Sequence, residues 1–298
     1  MKYKYLVSGI TIQSDIYYSE LVETDNEYEV TLSYGKVPKH LIKNNVDFPF
    51  IEANENQYLL RLENIGRLLI ENGTTITIEK DANGNSHDIE KYVMTNILGA
   101  LSYQRDWIPM HGGVFVHNRK GILITGASGN GKSTILTALM SKGYKILSDD
   151  ISNLKIIDNK IFAFPCFPYL LIWDKTAKKF NLETIDKKRI RKDMEKYIYP
   201  MDKNIFHDTP IELSKIYFLL NEEIKEDVIS IQGRNKIETL KKNTYKPWMI
   251  DIFKKQKNTF IQLSHIANNI SLEIIYNNHK LGFTKSFQQF IDKLEKDA

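Results

Sequence analysis

The stretch Gly126-Ala127-Ser128-Gly129-Asn130-Gly131-Lys132-Ser133-Thr134 constrains this chain more than any other. Its spacing is G-x-x-x-x-G-K-[ST]. Three glycines let the backbone take conformations that side chains resist, so that successive N–H groups can close around an anion. The apolar run Gly121-Ile-Leu-Ile-Thr precedes it and Ile135-Leu-Thr-Ala-Leu-Met follows it. That context sets the loop between a buried strand and a helix whose N-terminus carries partial positive charge. The pattern predicts a phosphate-binding loop for ATP, held by residues Gly126 to Thr134. Lys132 would reach the outer phosphates, and the Ser133 hydroxyl would ligate Mg²⁺.

A loop of this kind binds nucleotide without naming the reaction. The rest of the chain narrows the choice. Its 298 residues are 42% hydrophobic and 26% charged, a globular balance. The formal net charge of +4 suits an anionic substrate but is too small and too scattered to point to nucleic acid. Cys166 is the sole cysteine, which excludes an internal disulfide and favours a reducing compartment. With neither a signal peptide nor an apolar membrane span legible, the expected location is cytoplasmic, with no membrane partner.

Residues 1–86 read as a β-rich N-terminal module. Tyr5–Ile12, Tyr28–Tyr34, Gln57–Leu62, Arg67–Glu71 and Thr74–Glu79 are apolar or alternating runs, and Asn72-Gly73 is a hairpin turn signal. The loop from Asp81 to His87 marks the boundary, and residues 87–298 follow as one α/β domain. There the order is a helix over Ile89–Tyr103, strands at Gly112–His117 and Gly121–Thr125, the loop, a helix to Ser141, a stop at Gly143, and a strand at Tyr144–Leu147. A hairpin turning at Asp158-Asn159 follows, then a charged, mostly helical segment over Lys175–Lys203. A buried strand at Ile216–Leu220, a strand at Leu272–Tyr276 and a closing helix at Thr284–Leu294 complete it.

The strand after the loop helix runs directly into Asp149-Asp150. Paired carboxylates beside a phosphate loop can divide two tasks, holding Mg²⁺ and accepting a hydroxyl proton. The plain alternative is a solvated turn, where Asp is common. His111, in Met110-His111-Gly112-Gly113, would be structural in isolation. Beside a phosphate site it could bond the transferring group or orient Asp150.

Together these residues resemble the kinase domain of HPr kinase/phosphorylase. The likeness rests on His111-Gly112 before a strand, Gly126 to Ser133, Gly143 and Asp149-Asp150, over about residues 108–155. It implies an α/β core of the HPr kinase/PEP carboxykinase type. It also implies Asp150 as the base for an acceptor serine, phosphate contacts from His111 and Lys132, and Mg²⁺ on Ser133. Of the two carboxylates, Asp149 is then the one left to serve the metal. The family's metal-binding glutamate has no counterpart in Leu170-Leu-Ile-Trp-Asp174, where Asp174 is a weak substitute. For its late arginine, only Arg189, Arg191 and Arg234 are candidates. Over most of its length the chain is similar to the HPr-kinase-like proteins encoded with lasso peptide genes, through Tyr5 to Asp15, Asn72-Gly73 and Pro165 to Asp174. That resemblance implies ATP-dependent phosphorylation of a serine on a ribosomally made precursor peptide. The N-terminal module lacks any phosphate-binding motif, so it is expected to help bind the acceptor rather than ATP. Three other readings stay open: an HPr-type regulatory kinase, a nucleotide-binding module without transfer, and a small-metabolite kinase. Homo-oligomerisation is open as well.

Overall fold

The computed structural model describes residues 2–82, 98–184, 189, 195–221, 228–276 and 282–296. It is a mixed α/β, sheet-rich structure. The chain divides into two compact units, Met1–Pro109 with Tyr245–Gln262, and Met110–Thr244 with Leu263–Ala298. Its described helices are α1 (Leu98–Gln104), α2 (Lys132–Ser141), α3 (Asp174–Lys179), α4 (Asn235–Lys242), α5 (Met249–Ile252), α6 (Gln256–Asn269) and α7 (Phe283–Lys296). None of them is long and apolar enough to cross a membrane.

The first unit is built on β1 (Tyr3–Val7), β2 (Ile10–Ser14), β3 (Val22–Glu23), β4 (Val30–Tyr34), β5 (Val46–Phe48), β6 (Ile51–Ala53), β7 (Gln57–Leu62), β8 (Gly66–Glu71) and β9 (Thr75–Lys80). They form one sheet in the order β3-β1-β2-β4-β9-β8-β7-β6-β5. The hairpin expected at Asn72-Gly73 joins β8 to β9, with φ of 55° and 67° at those two residues. Three residues, Asn72 to Thr74, separate the paired Glu71 and Thr75, and the positive angles fall on Asn and Gly, the residues that tolerate them best. The run Tyr5–Ile12 is not one strand. Ser8 and Gly9 take φ of 54° and 77°, and the chain doubles back from β1 into β2. Apolar residues on both sides of a two-residue turn concealed that break.

The boundary expected near residue 86 lies outside the described residues, as does most of the helix expected over Ile89–Tyr103. The first unit runs on to Pro109 and takes back Tyr245–Gln262. Side chains explain the return. The Tyr103 hydroxyl donates to the Tyr245 carbonyl at 2.8 Å, and the Tyr245 amide donates to the Pro109 carbonyl at 2.7 Å. Phe253 packs its buried ring 6.5 Å from both Tyr58 and Tyr103.

In the second unit, β10 (Ile108–His117) pairs with β11 (Lys120–Thr125) and with β12 (Ile146–Ser148), antiparallel in both cases. Next come β13 (Ile151–Ile157), β14 (Lys160–Ala163), β15 (Tyr169–Trp173), β16 (Lys196–Pro200), β17 (Ile211–Leu220), β18 (Val228–Ser230) and β19 (Ser271–Tyr276). The hydrogen-bonded path β11-β10-β13-β14-β17 returns to β11, so these five strands close on themselves. Strand β17 lies parallel to β11 on one side and to β19 on the other. Its buried run Ile216–Leu219 is what a strand covered on both faces requires. Helix α7 buries Phe287, Phe290, Ile291 and Leu294, one helical face, and Phe290 meets Phe115 and Tyr217 edge to face.

A further expectation needs correction. The segment Lys175–Lys203 is not mostly helical in its described part. Helix α3 stops at Lys179, and Lys196–Pro200 is strand β16, paired with β15. Dense charge masked the alternation Lys196-Tyr-Ile-Tyr. The strand that leads into Asp149-Asp150 is not beside the loop strand: β12 pairs with β10, which lies between them.

That inner position leaves no room around Gly113. A Cβ there would stand 2.6 Å from the Ser148 carbonyl oxygen and against the Leu136 side chain. Gly113→Ala should therefore lower stability by about 1–3 kcal/mol, the range for overpacking a filled core. Urea denaturation reads the change, and an unaltered midpoint would contradict the packing described.

Candidate functional site

The loop from Gly126 to Gly131 leaves β11 and enters α2. Gly126, Gly129 and Gly131 take φ of 142°, 88° and 96°, a region that side chains disfavour. Gly126 is fixed by its neighbour, since a Cβ there would come within 2.5 Å of the Leu219 carbonyl oxygen on β17. The Asn130 side-chain amide donates to the same carbonyl at 2.6 Å. Strand β17 thus seats the loop at both ends. Helix α2 begins at a left-handed Gly131 with no side-chain cap. Its first-turn N–H groups, which a cap would otherwise occupy, are suited to an anion.

Lys132 is 8% exposed. Its ammonium donates to the Gly126 and Ala127 carbonyls at 2.8 and 3.0 Å, so its charge is held against the loop. Burial pushes its pKa down, while Asp150 and Asp149 pull it up. Ser133, next on the helix, points its hydroxyl at Asp149 Oδ1, 3.4 Å away. The Thr134 hydroxyl lies 3.2 Å from that of Thr176. Ala127 and Ser128 complete the turn.

Asp149 and Asp150 occupy a tight turn between β12 and β13, not an open strand end. Asp149 is buried, and both its oxygens accept backbone N–H groups: Oδ1 from Asp150 and Oδ2 from Leu171, each at 2.9 Å. Desolvation raises its pKa, opposed chiefly by the nearby charge of Lys196. Asp150 takes φ of 66°, and its side chain is 28% exposed. The Asp150 carbonyl accepts from His111 Nδ1 at 3.1 Å and from the Gly112 amide at 3.2 Å. A carbonyl can only accept, so the neutral His111 ring carries its proton on Nδ1. The His111 carbonyl in turn accepts the Thr125 hydroxyl at 2.8 Å, on the last residue before the loop.

The structure therefore brings Ser133 to Asp149, and His111 to Asp150, around one loop. Sequence reasoning missed Lys196. It opens β16, opposite Trp173, and its charge acts on Asp149, Lys132 and His111. A period-two pattern at Lys196–Tyr199 was the available signal. The proposed substitutes fall elsewhere. Asp174 opens α3 and pairs with Lys178 at 2.6 Å. Arg189 lies over the Tyr197 ring, Arg234 stands exposed before α4, and Arg191 is outside the described residues.

Ser133 and Asp149 offer hard oxygen donors on adjacent elements, a set that suits Mg²⁺ when phosphate oxygens and water complete its shell. Among the described residues no three His, Cys, Asp or Glu side chains converge as a metal cage. Such a cage is unnecessary for an ion bound mainly through phosphates.

No protein-family model matches the sequence, and no curated protein matches it. Among solved structures, the chain is similar to the Hpr(Ser) kinase/phosphatase from Coxiella burnetii, with 15% identity and a TM-score of 0.35 over 64% of this chain and 99% of that one.

His111 gives a direct test of the electrostatics. Burial lowers its pKa first and the Lys132 charge second, against the pull of Asp150. Between the folded and unfolded values the unfolded chain binds more protons. This group therefore adds stability as pH rises through that window and removes it as pH falls. NMR titration should place the His111 midpoint below that of a free histidine, and Lys132→Met should move it up. A midpoint unmoved by that substitution would contradict the arrangement.

Proposed function

We propose that this chain is an ATP-dependent kinase that phosphorylates a serine hydroxyl on a peptide or small protein. The observation that carries the reading is the convergence on one loop of an uncapped helix start, Lys132, a Ser133–Asp149 oxygen pair and the partly exposed Asp150. Binding alone would need only the loop. The second carboxylate, held in a left-handed turn beside His111, is what a proton-accepting group requires.

In this reading the loop amides and Lys132 hold the β- and γ-phosphates of ATP and neutralise charge as it develops. Ser133 and Asp149 would hold Mg²⁺, which screens the phosphate charge when bound. The acceptor oxygen forms a bond to the γ-phosphorus as the bond to the β–γ bridging oxygen breaks. Asp150 takes the hydroxyl proton, and ADP leaves. His111 positions Asp150 through its carbonyl, and Lys196 adds positive charge on the same side. The residue pattern shared with HPr-kinase-like proteins of lasso peptide clusters favours a ribosomally made precursor peptide as acceptor, in a cytoplasmic setting.

Incubation with ATP, Mg²⁺ and serine-bearing candidate peptides, followed by intact mass, should show gain of one phosphoryl group. Binding of ATP with no transfer to any acceptor would instead leave a nucleotide-binding module. Asp150→Asn keeps the shape and removes the basicity. It should lower turnover by about 100-fold or more with little change in ATP affinity, the usual scale for a positioned base. Lys132→Ala should lose transfer while remaining folded. A normal rate for Asp150→Asn together with a dead Asp149→Asn would show that the two carboxylates have the reverse roles.

A further inference from the structure

A cavity of about 350 Å³ opens beside the loop in the second unit. Gly129, Gly131 and Thr134 form its near wall. We propose that this cavity receives the base of the bound nucleotide. The inference rests on the reading of Gly126–Thr134 as the phosphate seat, and three observations carry it.

The first is direction. Strands β11, β17 and β19 are parallel, so their C-terminal ends open on one edge of the sheet. The loop leaves the end of β11, while Leu219 of β17 and Ile275 and Tyr276 of β19 form the cavity's next wall. Ligands of parallel α/β sheets lie along such an edge. A group attached to a phosphate on the loop can enter the cavity directly, because the two share Gly129, Gly131 and Thr134.

The second is chemistry. The far wall comes from α7, where Phe283 and Phe287 stack with centroids 5.6 Å apart and planes within 7°. Phe180 meets Phe283 edge-on, and the Lys179 ammonium lies 3.7 Å from the centre of that ring. These contacts fix the aromatic surface, and Lys179, Ser286 and Thr134 add polar groups to the lining. A flat, largely apolar heterocycle with polar edges fits that lining, and the volume is in the usual range for small-molecule sites, about 300–1,000 Å³. A triphosphate alone would gain nothing from it.

The third is what does not line the cavity. Lys132, Asp149, Asp150 and His111 are not among its walls. The acceptor hydroxyl must meet the γ-phosphate where those groups are, so the cavity serves the other end of the nucleotide.

Calorimetry with the full chain can separate base from phosphate by titrating ATP and inorganic tripolyphosphate in parallel, both with Mg²⁺. The wild type should bind ATP at least about 10-fold more tightly than tripolyphosphate, the scale of base–aromatic contacts. Phe283→Ala removes part of the aromatic wall, and Ser286→Trp puts a large side chain on the lining. Each should weaken ATP by about 10-fold and leave tripolyphosphate nearly unchanged, which also shows that the variant is folded. Equal affinity of the wild type for the two ligands would overturn the base pocket and leave the phosphate seat intact. Unchanged ATP affinity in both variants, or equal loss of both ligands, would overturn it too. Failure of the wild type to bind either ligand would remove the nucleotide reading and this inference with it.

Discussion

The buried carboxylate of Asp149 is the interaction on which the rest of the site depends. Withdrawing an ionised carboxylate from water costs several kcal/mol unless hydrogen bonds and opposite charge replace the lost hydration. Here two backbone N–H groups and the charge of Lys196 replace part of that hydration, and the remaining desolvation keeps the carboxyl's pKa raised. One of those donors is the Asp150 amide, so holding Asp149 also fixes the next residue in its left-handed turn. That turn presents the Asp150 carbonyl to His111, whose own carbonyl is bound by Thr125 at the start of the loop. A single buried group thereby links the Asp pair, the histidine and the glycine-rich loop.

The loop's other support is strand β17. Leu219 meets Gly126 with a carbonyl so close that only glycine fits, and the same carbonyl accepts Asn130. Because β17 also borders the cavity through Leu219, the strand that shapes the loop sets its position relative to the aromatic wall of α7. Loop and cavity thus meet at one residue of one strand, the kind of rigid basis that the proposed nucleotide site would need.

The parts legible in the sequence are those set by local rules. Gly126 to Ser133 declared a loop because glycine and lysine spacing has a backbone cause. The hairpins at Asn72-Gly73 and Asp158-Asn159 declared themselves because both residues of each pair take positive φ. The parts that were not legible depend on distant partners. Tyr245–Gln262 belongs with the first unit because Tyr103, Pro109 and Tyr58 receive it, and no composition shift marks that return. Lys196 was hidden in a charged run whose periodicity is read correctly only once β15 stands beside it. The β1–β2 turn was lost in an apolar run because Ser8-Gly9 is a weaker signal than Asn-Gly.

The central claim is that the loop, α2 and the Asp149-Asp150 turn form one nucleotide site. Amide hydrogen exchange read by mass spectrometry, with and without ATP and Mg²⁺, addresses it without knowledge of the acceptor. The account predicts slower exchange in peptides covering Gly126–Ser141 and Ser148–Ile151, the first because its N–H groups bind phosphate and the second because the carboxylate turn is held by the metal. Unchanged exchange in the Gly126–Ser141 peptides at saturating ATP would contradict it.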